Sequence, residues 1–154
     1  MSLLAFEHAI GVNNPIKREL MKLGSGGEII HVEFILPTYQ NTRASSWDGF
    51  GVELRKDQVN LRNFVVFEIG NYDKQIYDYF KAREGFGYSW KDLFSGMILK
   101  LNPVQKQEFF CSQIVYDVLM TIVQLNLPNR IPSQVSPQKL YEMILNLGLP
   151  QIIL

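Results

Sequence analysis

Apolar and polar residues alternate from Glu28 to Leu36, which predicts a β-strand. Ile30, Val32, Phe34 and Leu36 fall on one face, Ile29, His31, Glu33 and Ile35 on the other, and Pro37 closes the strand. A second strand is predicted from Phe50 to Arg55. A third runs from Asn63 to Ile69, where the unbroken Phe64-Val65-Val66-Phe67 predicts a central place in the sheet. Thr38 to Gly49, between the first two, reads as a long polar loop of the kind that often carries function. Elsewhere the spacing is helical. Asn14-Pro15 opens a short helix continued by Ile16, Glu19, Leu20 and Leu23 and ended by Gly24. Asp73 to Glu84 carries an apolar set of Ile76, Tyr77, Phe80 and Ala82 and stops at Gly85-Phe86-Gly87. Ser89 caps a helix over Trp90 to Leu99, and Asn102-Pro103 breaks the chain. Ile114, Val115, Val118, Leu119, Ile122 and Val123 predict a buried helix from Cys111 to about Leu125. Ser136-Pro137 opens a last helix with Leu140, Tyr141, Ile144 and Leu145 as its stripe, ended by Gly148 and Pro150. Residues 1–13 give little pattern. Strands followed by helices over short connections predict an α+β fold.

The 154 residues suit a single domain, 1–154, with a substantial core. Apolar residues make up 47% and charged residues 19%, as in globular proteins. Fifteen basic and fifteen acidic residues cancel, so no strong field favours nucleic acid or an anionic membrane. No apolar run is long enough to span a bilayer, and the N-terminus lacks the basic start of a secretory signal, so a cytoplasmic product is expected. Two histidines and one cysteine, far apart, make no zinc motif. Gly24-Ser25-Gly26-Gly27 is followed by a strand and no Lys-Ser/Thr, which argues against a phosphate-binding loop. No cofactor is implied.

The single cysteine excludes an internal disulfide and points to a reducing compartment or a catalytic thiol. A lone cysteine is most often a small core hydrophobe. Cys111, however, opens its helix, where unpaired N–H groups and the helix dipole favour a thiolate. His31 has apolar neighbours, Ile29 and Ile35, on its strand face, whereas for Glu33 a solvated sheet surface is the plainer expectation. A helix-start thiol with a strand imidazole is the papain arrangement: a nucleophile, a base that moves its proton, and a polar third group that holds the base. Here the histidine precedes the cysteine, an order that a circular permutation would produce.

The chain resembles the permuted NlpC-type papain-like cysteine peptidases and amidases, closest to their bacterial and phage branch. The resemblance spans about residues 27–146. It rests on His31-Val32-Glu33, then Ser45-Ser46 and Gly51-Val52-Glu53-Leu54, then Gly85-Phe86-Gly87-Tyr88-Ser89-Trp90. Phe110-Cys111-Ser112-Gln113-Ile114-Val115 and Ser136-Pro137-Gln138-Lys139-Leu140 complete it. Ile30 departs from the pattern, since members carry Ser or another small polar residue before the histidine. The resemblance implies a permuted papain-like fold, with a small antiparallel sheet packed on the Cys111 helix. It also implies Cys111 as nucleophile and His31 as base. The third member is a polar residue: Ser46 and Glu53 lie in the expected region, and Glu33 is favoured because its spacing puts it on the His31 face. Tyr88 matches a tyrosine that lines the site and could donate to substrate or oxyanion beside the Cys111 N–H. Trp47 and Trp90 read as packing.

Three functions follow from these residues. The first is a cysteine hydrolase of amide or peptide bonds, with cell-wall peptides among its candidate substrates and phage delivery or lysis as the route to them. The second is an acyltransferase or esterase acting on acyl lipids with the same thiol and imidazole. The third is an inactive interaction module of phage or bacterial origin.

Overall fold

A computed structural model of the chain describes residues 1–58, 60–87 and 110–152. Among the described residues it is α+β, with a six-stranded sheet and four α-helices. The strands are β1 (Leu3–His8), β2 (Ile29–Leu36), β3 (Thr42–Trp47), β4 (Gly51–Arg55), β5 (Phe64–Glu68) and β6 (Gln151–Ile152). The helices are α1 (Pro15–Ser25), α2 (Asp73–Lys81), α3 (Cys111–Thr121) and α4 (Pro137–Leu147). The sheet order is β4-β3-β2-β1-β5-β6, and every pairing is antiparallel. No described helix is long and apolar enough to cross a membrane.

The alternation of β2 survives, but both of its faces are covered, so no residue of it lies on a solvated surface. Val32, Phe34 and Leu36 join Leu4 and Phe6 of β1, Ile114, Val115, Val118 and Leu119 of α3, and Leu140 and Ile144 of α4 in the main core. Ala5, Ile35 and Val66 form a smaller apolar cluster, their side chains alternating to the other face.

Several expectations are corrected. Residues 1–13 contain β1, which pairs with both β2 and β5 near the middle of the sheet. β5 is therefore not central; among the described residues only the two-residue β6 lies beyond it. The expected polar loop contains β3, held by pairing on both sides even though Ala44 is its only aliphatic residue. Gly24 does not end α1, because the left-handed C-cap is Gly26, at φ 80°. That helix also leaves Ile16, Leu20 and Leu23 exposed. α3 ends at Thr121 and α2 at Lys81, each shorter than its apolar pattern. The helix expected over Trp90 to Leu99, the break at Asn102-Pro103 and the residues Tyr88, Ser89 and Trp90 lie outside the described residues.

Gly51 shows why the Gly-Val start of β4 needs its glycine. Its φ is +79°, and a Cβ there would lie 2.0 Å from the Phe86 carbonyl oxygen. The Val52 N–H donates to that same oxygen at 2.7 Å, and the Gly85 N–H donates to the Val52 carbonyl at 2.9 Å. Gly51→Ala is expected to cost roughly 3 kcal/mol, combining left-handed strain with a clash against backbone that is itself hydrogen-bonded. Gly49 also has positive φ but open space around it. Gly49→Ala is expected to cost only about 1 kcal/mol. Urea unfolding of the two variants measures the difference.

Candidate active site

β2 is irregular next to His31. Glu7 of β1 pairs with His31 but His8 pairs with Ile29, so Ile30 is an extra residue in the ladder. The ladder to β3 joins only Phe34–Leu36 to Thr42–Ala44, and His31 lies beyond its end. Bulges of this kind bend a strand and re-aim side chains beside sites. The start of β2 is fixed from α4, where the Gln138 amide oxygen accepts the Ile29 N–H at 3.0 Å. Ser136 caps α4 by accepting the Lys139 N–H, so the Ser-Pro-Gln segment both starts a helix and anchors the histidine strand.

Cys111 is the first residue of α3, after Phe110 in extended conformation, so its thiol belongs to the turn with unpaired N–H groups. It is 1% exposed. The neighbouring Ser112 hydroxyl donates to the Val135 carbonyl at 2.6 Å. One turn on, the Tyr116 hydroxyl donates to the Pro128 carbonyl at 2.7 Å and accepts the Arg130 N–H. These bonds pin the start of α3 and the chain that follows it.

The structure brings the thiol, the imidazole and one carboxylate into a connected cluster. Burial pulls the His31 pKa down, but the charge and hydrogen bonding of Cys111, followed by those of Glu33, outweigh it and lift it to about 10. His31 Nε2 lies 3.4 Å from Glu33 Oε2, an ion contact longer than a well-formed hydrogen bond. Glu33 is fully buried. Its burial opposes ionisation, yet hydrogen bonds and charge from His31 and Arg43 hold its carboxyl below the usual range. The expected solvated position for Glu33 is therefore corrected: the sheet face that carries it is covered, and two cations meet the carboxylate there.

Arg43 reaches from β3 and grips Glu33 with both arms of its fork, Nε to Oε1 and Nη2 to Oε2, each at 2.7 Å. Its Nη1 donates to Asp57 at 2.8 Å. Trp47, also on β3, lies against the His31 ring with centroids 5.8 Å apart, and the Arg55 guanidinium covers Trp47 at 4.2 Å. Trp47 thus packs, as expected, but it packs on the imidazole. Glu7 faces the same cluster, and burial raises its carboxyl against the lowering effect of His31.

The other candidates are Ser46, Glu53 and Tyr88. Ser46 pairs across the sheet with Val52 and, alternating with Ser45, shares the core face of Ala44. Glu53 turns to Arg55, whose Nε donates to it at 2.8 Å. Tyr88 lies outside the described residues. Arg43, Asp57 and Glu7 escaped the sequence reading. Reading residues 42–47 as a strand would have set Arg43, Ser45 and Trp47 on one face, as a polar and aromatic row rather than as loop residues. Compared with known proteins, the chain matches no family model, no curated sequence and no solved structure.

Proposed function

We propose that this chain is a cysteine hydrolase that cleaves an amide or peptide bond on a permuted papain-like fold. One arrangement carries the reading: a buried imidazole, its pKa raised by a helix-start thiol, lies 3.4 Å from a buried carboxylate. In this reading His31 takes the Cys111 proton, and the sulfur attacks the substrate carbonyl carbon. The ring passes that proton to the leaving amine as the carbon–nitrogen bond breaks, leaving a thioester. Water, deprotonated by the same ring, then releases the acid and regenerates the thiol. Glu33, facing Nε2, orients the ring so that its other nitrogen meets the sulfur. The helix N-terminus and the Cys111 N–H favour the oxyanion.

A second reading, the non-catalytic module, is favoured by the near-complete burial of Cys111. Iodoacetamide separates the two. A hydrolase thiol is expected to alkylate in native protein at pH 6, where a free thiol of pKa about 8.5 is almost wholly protonated. Reaction only on unfolding would leave the module. With alkylation established, hydrolysis of peptidoglycan peptides, isopeptides and acyl esters distinguishes amide from acyl-lipid chemistry. Cys111→Ser is expected to abolish turnover while keeping the fold, and adding His31→Ala should cost little more, because the two act as a unit. Additive losses would sink the pairing.

A further inference from the structure

Glu33 has a nearer partner than the histidine it faces. Both of its oxygens lie 2.7 Å from Arg43 nitrogens, whereas His31 Nε2 is 3.4 Å from the one oxygen it approaches. Oε2 is therefore shared, and the shorter, fork-shaped contact belongs to the arginine. The guanidinium is itself fixed from outside, by Asp57 at 2.8 Å. It also lies over the Trp47 ring that packs on the imidazole.

We infer that Arg43 is a positioning residue for the thiol chemistry, acting through Glu33: its fork sets the carboxylate's orientation and absorbs most of its charge, leaving the imidazole oriented but able to release its proton. The inference rests on the hydrolase reading above. A ring that shuttles protons must be both base and acid. A buried carboxylate with no other partner would hold the imidazolium too firmly, because attraction between charges strengthens where water is excluded. An arginine that offsets most of the carboxylate's charge weakens that hold while keeping the geometry. The other groups facing the ring are accounted for. Cys111 comes from α3 and Glu7 from β1, directly opposite in the ladder, while Arg55 of β4 lies over Trp47, whose ring packs on the imidazole. Among the described groups acting on Glu33, Arg43 is the positively charged one whose nitrogens lie within well-formed hydrogen-bond distance of it.

The test is the titration of the His31 ring, followed by nitrogen NMR on the full chain. Arg43→Gln is expected to raise its midpoint by about one pH unit. Arg43→Lys, which keeps the charge but loses the fork, should fall between that and wild type. The effect must run through the carboxylate. In a Glu33→Gln background, where no anion remains to be shared, Arg43→Gln should leave the midpoint where Glu33→Gln alone puts it. That neutral pair also keeps the test open if Arg43→Gln alone fails to fold, because Glu33→Gln can then be compared directly with the double variant. An unchanged midpoint in Arg43→Gln, or an equal shift in both backgrounds, would reduce Arg43 to a structural ion pair. The hydrolase reading is judged separately, by alkylation of wild-type Cys111. A shifted ring beside an unreactive thiol would overturn that reading and leave the electrostatic coupling intact.

Discussion

Glu33→Ala is expected to destabilise the protein by about 3–5 kcal/mol at pH 7, the usual cost of removing one partner from a buried ion pair. The carboxylate is fully buried and serves two cations, so its loss takes the facing anion from His31 and leaves Arg43 with its half-exposed partner Asp57. Wild-type Glu33 ionises more readily than a free glutamate of pKa about 4.5. Its contribution is therefore complete above that pH and is lost only as the pH falls through its depressed value. Urea unfolding at pH 7 gives the cost. Adding Arg43→Met to Glu33→Ala should recover part of it, because the stranded guanidinium goes too. A double variant less stable than the single would show that Glu33 contributes by packing rather than by pairing.

The second large effect is the pH dependence of stability that His31 confers. The ring's pKa rises from 6.5 to about 10 on folding, so the folded state binds more proton than the unfolded one between those values. The stability this provides is present in full below pH 6.5 and is lost as the pH rises through about 10. At about 1.4 kcal/mol per pH unit, a loss of about 5 kcal/mol is expected between those limits. The stability difference between wild type and His31→Gln, taken from urea curves at pH 6, 8 and 10, should shrink steadily. Because Cys111 is the leading cause of the rise, the trend should flatten in a Cys111→Ser background. A difference constant with pH would mean that the ring's pKa does not change on folding, and one that grows from pH 6 to pH 8 would mean that burial holds the ring neutral.

How much of this was legible follows from which signals are local. Cys111 at the head of an apolar helix and His31 on an alternating strand are visible because each depends on its own neighbours. The pairing of Glu33 with His31 follows from a spacing of two. The partner that fixes Glu33 was hidden, because Arg43 lies on a strand whose residues, Thr42-Arg43-Ala44-Ser45-Ser46-Trp47, lack an apolar pattern. β3 forms because β2 and β4 offer it backbone partners, and that information is not in its own sequence. β1 was lost for a different reason. Its alternation of Leu4 and Phe6 with Ala5 and Glu7 is short and has no turn residue to mark its ends. The bulge at Ile30, which sets the local path of the histidine strand, depends on tertiary pairing alone.

The two-residue β6 does more than its length suggests. Ile152 and Gln151 pair with Val66 and Phe67, and the Pro150 carbonyl accepts the Glu68 N–H at 3.0 Å. Without these contacts β5, an apolar run of Phe64-Val65-Val66-Phe67, would present an unpaired rim of backbone donors and acceptors, the kind of template on which chains polymerise. A foreign strand pairing with Val66 to Glu68 would first have to displace this segment. A few residues of backbone thus shield the sheet on that side against self-association.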